Sequence, residues 1–390
     1  MKTITSNDEL MTYCARAREY PFVTVDTEFL RERTYYPKLC LIQLAYPSNK
    51  SDSAVLIDPL ATGLSLKPIN ELFADRSVVK VFHASRQDLE IFYQQFGSFP
   101  EPIFDTQLAA MVCGFGEQVG YEVLVKKIKK RALDKSSRFT DWSYRPLSKA
   151  QKLYALADVT HLRDIYRYLS KELNRRQRTE WLMEELQTLT NQETYEIRPE
   201  EAWQRIKARS QSPFFMAILR ELAAFRETYA QKKNIPKAWV CKDNALIEIA
   251  VAKPKHHSDF RKLRLLPPTA CKGEVVTGFL KAVSEGIACP NDKLPKLVIK
   301  PQPDNTTQAL LGLLRVLLKA KAEKAGVSTK LIASSTELGA IAAGERNLSV
   351  LKGWRKEIFG NEAIKLCEGR IALSVENQFV KSIMLDIQEN

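Results

Sequence analysis

The hydrophobic period changes once along the 390-residue chain, and that change limits the fold more than any other feature. Short β-branched runs fall at 22–25, 39–44, 54–57 and 78–82 and are read as strands of one sheet. After Ser85 the spacing lengthens to that of a helix, with Leu89, Phe92, Tyr93 and Phe96 on one face and Gly97 as the stop. From Ser148 onward nearly everything reads helical. The predicted architecture is multidomain, a mixed-sheet α/β part followed by an all-α part. The boundary should fall between about 170 and 212, where Arg198-Pro199-Glu200-Glu201 opens a new helix after a polar stretch.

Within the helical half, apolar positions recur at a spacing of 92. Leu219, Leu222, Trp239, Leu246 and Ile249 correspond to Leu311, Leu314, Leu331, Leu338 and Ile341, while the polar residues between them differ. Two copies of one helical module would show this, because core positions constrain side chains and surface positions do not. Agreement between two unrelated amphipathic regions would look similar. A proline-rich segment at 290–303 would link the copies.

Lys and Arg outnumber Asp and Glu by 59 to 46. Most of the surplus is in the second part: residues 1–170 carry 23 against 20, and residues 171–390 carry the remaining 36 against 26. A polyanionic partner follows, nucleic acid before an anionic membrane surface. Seven scattered cysteines with no C-x-x-C pair argue against a disulfide framework or a structural zinc site. No signal-peptide core opens the sequence and no apolar run is long enough to span a membrane, so a cytoplasmic protein is expected.

Asp26 and Glu28 stand at i and i+2 near the end of the first predicted strand, so both carboxylates leave the same face. Two acids there would be costly in a core without a cation, and a divalent metal is the simplest one; a solvated strand end fits the same pattern. Asp88 lies in the first turn of the following helix, where the helix dipole alone would favour it. His83, at the preceding strand's end, is either a substrate contact or a satisfied structural histidine. Tyr154 and Asp158, at i and i+4, share one helix face, which is also what an ordinary helix surface can carry. Together the four carboxylates could converge at one sheet edge. Acids without a histidine cluster suit two hard divalent cations, Mg²⁺ or Mn²⁺, of the kind that clamp a phosphoryl displacement. A phenol beside them would orient the attacking water rather than deprotonate it.

These strings resemble the ribonuclease D family. Val25-Asp26-Thr27-Glu28-Phe29, with Arg33-Thr34-Tyr35-Tyr36-Pro37 and Leu41-Ile42-Gln43-Leu44, is similar to its first exonuclease motif. His83-Ala84 with Asp88-Leu89-Glu90 is similar to its second. Thr140-Asp141-Trp142, Arg145-Pro146-Leu147 and Tyr154-Ala155 with Asp158-Val159 resemble the third, in the tyrosine branch of the DEDD exonucleases; Phe104-Asp105-Thr106-Gln107 also matches. The resemblance implies an RNase H-like exonuclease domain at 1–170, a helical linker at 171–211, and two helical modules of the helicase-and-RNase-D C-terminal (HRDC) type at 212–292 and 304–390. It further implies 3′-to-5′ hydrolysis of RNA to nucleoside 5′-monophosphates with two Mg²⁺ or Mn²⁺ ions. Asp26, Glu28, Asp88 and Asp158 would be metal ligands and Tyr154 would hold the water. The RNA would be tRNA precursor 3′ ends and other small RNAs, with no membrane and no obligate protein partner.

The chain departs from the family at Lys126-Lys127-Ile128-Lys129-Lys130-Arg131, more basic than usual, before Leu133-Asp134-Lys135 resumes the pattern. That stretch is either a solvated face or an RNA-backbone contact. Phe29 and Tyr35 are either core or stacking platforms for terminal bases. Two other functions compete: a proofreading-type DNA exonuclease, and a degenerate catalytic scaffold that only binds RNA.

Overall fold

A computed structural model describes residues 2–133, 140–208, 212–267, 270, 272–295 and 305–385. Cys271, Asp134, Lys135 and most of the proline-rich segment, Pro301 and Pro303 included, lie outside the described residues. The first part is built on strands β1 (Lys2–Ile4), β2 (Phe22–Leu30), β3 (Lys38–Ala45), β4 (Ala54–Ile57), β5 (Val79–Phe82) and β6 (Ile103–Asp105). They form one sheet in the order β1-β4-β3-β2-β5-β6. β2 runs antiparallel to β3 and parallel to β5, so the sheet is mixed, as expected. The four strands expected from β-branched runs are present. β1 and β6 are additional, each three residues long and too short to show a period.

Helices α1 (Asn7–Ala17), α2 (Lys67–Ala74) and α3 (Arg86–Phe96) cover one face of the sheet. On that face Val23, Val25, Ile42 and Leu44 are buried. After α4 (Thr106–Val112) and α5 (Tyr121–Leu124), the opposite face receives α6 (Lys149–Arg176), which packs across β2, β3 and β4. Leu41, Leu56 and Ala155 are buried there with Trp142 and Leu147. Ser148 starts α6 with a reciprocal cap: its hydroxyl accepts from the Gln151 backbone N–H, and Gln151 Oε1 accepts from the Ser148 backbone N–H. Gly97, left-handed at φ 73°, ends α3 at the position read from sequence.

The helical half begins with α7 (Thr179–Leu189), after which the segment opened by Arg198 is a 3₁₀ turn, Pro199–Arg205, rather than an α-helix. Then come α8 (Pro213–Lys233), α9 (Lys237–Val240), α10 (Asp243–Ala252) and α11 (Gly273–Ile287). The next set is α12 (Asn305–Ala325), α13 (Thr329–Ile332), α14 (Ser335–Ala342), α15 (Gly353–Arg355) and α16 (Asn361–Cys367). α8, α9 and α10 start 92 residues before α12, α13 and α14, so the repeat in the apolar pattern is a repeat of helices. The expectation that the chain stays helical to its end is corrected by a hairpin, β7 (Ile371–Glu376) with β8 (Phe379–Met384). Asn377 and Gln378, both at positive φ, form its two-residue turn.

The two helical units meet the α/β part differently. The first has its own core, including Leu219, Leu222, Leu246, Ile249 and Phe279. The second shares one with the α/β part, in which Leu162, Ile165 and Leu169 of α6 join Leu314, Leu317 and Phe359. Both touch it through the residue that ends their first helix. Asn234 caps α8 in the left-handed conformation and its Oδ1 accepts from the backbone N–H of Tyr35 and of Tyr36, each at 3.1 Å. Its counterpart 92 residues on is Gly326, whose carbonyl lies so close to Gly114 that a Cβ added there would stand 2.3 Å from it.

Candidate active site

Register fixes the orientation of the two acids on β2. Asp26 lies opposite Gln43 and Glu28 opposite Leu41, and directly opposed residues share a face. Leu41 packs against Ala155, so Asp26 and Glu28 look toward α6, while Thr27 looks the other way. The third turn of α6 supplies Asp158. Carboxylate oxygens of Asp26, Glu28 and Asp158 all lie within 4.8 Å of one another.

Asp88 arrives from the opposite face. It is buried in the first turn of α3, and Thr27 Oγ1 donates to its Oδ1 at 2.5 Å. Arg31, past the acids on β2, clasps Glu90 with two hydrogen bonds of 2.8 and 2.7 Å and so ties the strand to the same helix. The structure thus gathers three of the four expected acids into one cluster and holds Asp88 beside it through Thr27. Burial and the charge of Asp158 push the Asp26 carboxyl well above the usual range. Burial and the charge of Asp26 do the same to Asp88. Acids that raise one another in a low-dielectric setting fit a bound cation better than a structural role. The donor set, carboxylate oxygens only, suits a hard ion.

Tyr154 lies one turn before Asp158 on α6 and lines the same cavity, of about 410 Å³, as Asp26, His83, Gln107, Tyr121 and Asp158. Such a volume accommodates a nucleotide. Its ring packs 6.0 Å from that of Trp142. The loop carrying Trp142 is pinned by Arg145, whose guanidinium bonds both oxygens of Asp58 at 2.6 and 2.8 Å and the Cys40 and Trp142 carbonyls. Arg145 therefore fixes the entry to α6, and with it Tyr154, against β3 and β4.

Two residues to which sequence reasoning gave no role support the site, Tyr121 in the cavity wall and Asp105 behind it. Tyr121 donates from its hydroxyl to the Asp158 carbonyl at 2.6 Å, and burial, with the charges of Asp158 and Asp26, raises its pKa far above normal. Asp105, buried at the end of β6, accepts from the Gln107 and Leu108 amides as the cap of α4 and from the Ser85 N–H and hydroxyl. It also accepts from Ala84, at φ 57°. One carboxylate thus holds the turn between β5 and α3 that aims Asp88. Only the local string around Asp105 pointed to it; nothing in the sequence marked Tyr121.

Tyr35 does not face the acids. It packs on the core of the first helical unit and donates to Glu227 Oε1 at 2.5 Å. Phe29 is partly exposed, one residue past Glu28. In the basic stretch, Lys126, Lys127 and Lys130 are exposed, while Lys129 pairs with Asp164.

A mixed sheet whose central strand presents paired carboxylates to a helix bearing a tyrosine and a further carboxylate defines a metal-dependent 3′-to-5′ exonuclease. The family model described as 3′-5′ exonuclease matches residues 1–174, and that described as HRDC domain matches 215–283. Ribonuclease D of Jannaschia sp. is 58% identical over 98% of this chain and 99% of its own length. Ribonuclease D of Nitrobacter hamburgensis is 45% identical over 96% and 97%. The crystal structure of Escherichia coli RNase D, described as an exoribonuclease involved in structured RNA processing, superposes with a TM-score of 0.81 at 29% identity, covering 94% of this chain and 98% of that one. The chain belongs to the ribonuclease D family, and its activity is that of a 3′-to-5′ exoribonuclease. The HRDC model matches one copy, the first helical unit.

Proposed function

We propose that the chain trims the 3′ ends of tRNA precursors and other small structured RNAs, releasing nucleoside 5′-monophosphates, with Asp26, Glu28, Asp88 and Asp158 holding two divalent ions and Tyr154 holding the attacking water. The clustering of three carboxylates within 4.8 Å, in the cavity that Tyr154 lines, is the observation that carries this reading. Mg²⁺ or Mn²⁺ bound there would supply charge neutralisation at the scissile phosphate and a more acidic water. The chain's own residues do the rest. Asp26, Glu28 and Asp158 present oxygens from two elements locked together by the β2–α6 packing. Asp88 is kept in place by Thr27, and the Tyr154 hydroxyl fixes the water's direction, a positioning role rather than that of a base.

In this reading residues 1–170 are catalytic, 171–211 form the linker, and 212–292 and 304–390 are two HRDC-type modules. Their surplus of basic residues, with the exposed Lys126, Lys127 and Lys130 of the α/β part, grips the phosphate backbone, and binding should weaken with salt. Among the described residues no helix is long and apolar enough to cross a membrane, and the proposed compartment is the cytoplasm.

Single-turnover digestion of a 3′-tailed RNA tests the assignment. Asp26→Ala and Asp158→Ala should abolish nucleotide release while leaving RNA affinity largely intact, and unchanged release in either would refute it. Tyr154→Phe should lower turnover more than binding. A DNA strand of the same sequence, digested alongside, should be the poorer substrate; faster release of deoxynucleotides would overturn the choice of RNA.

A further inference from the structure

His83 follows β5 in the turn before α3 and lines the cavity with Asp26, Tyr154 and Asp158. Its protonation pattern follows from its neighbour. Thr106 Oγ1 has one proton, which it donates to the Phe82 carbonyl at 2.9 Å. At its 3.0 Å contact with His83 Nδ1 the threonine oxygen is therefore the acceptor, so Nδ1 carries the hydrogen and Nε2 presents a lone pair. The ring is kept neutral by burial, with Asp105 pulling weakly the other way. It is also fixed in direction: its centroid lies 5.4 Å from that of Tyr121, whose hydroxyl is bonded to the Asp158 carbonyl. A rigid neutral acceptor thus stands one aromatic ring away from the backbone of Asp158, in the cavity that Asp26 and Asp158 line.

An exonuclease removes whichever nucleotide is terminal, so a fixed acceptor in its nucleotide cavity is useful only toward a donor that all four nucleotides share. Base edges differ in their donors, whereas the sugar hydroxyls are invariant; the 3′-hydroxyl is common to RNA and DNA, and the 2′-hydroxyl alone separates the two. We propose that His83 Nε2 accepts a hydrogen bond from the 2′-hydroxyl of the 3′-terminal nucleotide and is a specificity-determining residue for RNA. The proposal rests on the catalytic reading above and adds to it a residue and a substrate group.

Oligoribonucleotides identical except for the sugar of their last nucleotide provide the test. Three ends are compared, ribose, 2′-deoxyribose and 2′-fluoro-2′-deoxyribose, and release of that nucleotide is measured in a single turnover. The wild-type chain should favour ribose by roughly tenfold over both other sugars, the usual effect of one hydrogen bond to an otherwise unpaired polar group. In His83→Phe the preference should collapse to within about twofold, through a fall in the ribose rate alone. A preference unchanged in the variant, or an equal fall for all three ends, would overturn the proposal. The 2′-fluoro end needs no variant: it keeps a ribose-like pucker and cannot donate, so release as fast as from ribose would also overturn it. A wild-type chain that releases nothing from the all-ribose oligomer would instead refute the catalytic reading, and this inference with it.

Discussion

At the residue scale, the site is organised by unfavourable neighbours. Asp26 and Asp88 are carboxylic acids whose surroundings oppose their own ionisation. The sign of the pH effect follows. An acid with a raised folded pKa binds more protons folded than unfolded, so its contribution to stability falls as pH rises from about 4 toward the folded value. Metal-free Asp26→Asn should accordingly match the wild type in acid and exceed it increasingly above about pH 4, by about 0.5–2 kcal/mol at neutrality. Urea unfolding in chelator at several pH values measures the difference; equal stability throughout would show that Asp26 is not under this strain. Adding Mn²⁺ should raise the stability of the wild type alone. The same-face placement of Asp26 and Glu28 was legible, because strand alternation dictates it. The route of Asp88 was not: a spacing along the chain does not say from which side a helix approaches, and only the Thr27 contact reveals that it comes from the far face.

At the scale of elements, turns between strands and helices set the geometry. Asp105 serves the α4 cap and the β5–α3 turn at once, so Asp105→Asn should cost more than an ordinary cap, about 1–3 kcal/mol. It should also raise the Mn²⁺ concentration needed for half-maximal release, because Asp88 loses its aim. An unchanged metal requirement, with stability alone reduced, would confine Asp105 to a structural role. Ser148→Ala removes half of the α6 cap and should cost about 1 kcal/mol with little effect on metal dependence, which makes it the control. Elements with a clear period, such as β2, β3, α3 and α6, were readable. The hairpin β7–β8 was not, since Asn377-Gln378 lacks the glycine that usually marks a two-residue turn, and six-residue strands beside helical sequence give little periodic signal.

At the scale of the whole molecule, the two helical units differ in how they hold the α/β part. Where the first unit has Arg226 and Glu227, buried polar residues that bond Asp243 and Tyr35, the second has Leu318 and Lys319. Its attachment adds an apolar, close-packed core to polar contacts such as the Lys330–Glu117 pair at 3.0 Å. Trp181 of α7 stacks on Trp354 at 4.2 Å, and Arg178 bonds the Val112 carbonyl at 2.8 Å and the Ala325 carbonyl. Gly114→Ala should therefore loosen the second unit selectively, since a methyl would meet the Gly326 carbonyl and the residue has φ 84°. A loss of about 1–3 kcal/mol and faster proteolysis within 305–385 are expected; unaltered protease resistance there would refute the contact.

The grip of Asn234 and Glu227 on the loop at Tyr35 begins only seven residues beyond Glu28. Excising the helical half is thus not a clean subtraction, because the acid-bearing ribbon would lose an anchor along with its tether to substrate. A truncated enzyme that falters on folded RNA would have two causes superimposed. Tyr35→Phe in the intact chain removes the hydroxyl's bond to Glu227 and leaves every basic residue in place, which provides the baseline against which any such shortened protein has to be judged.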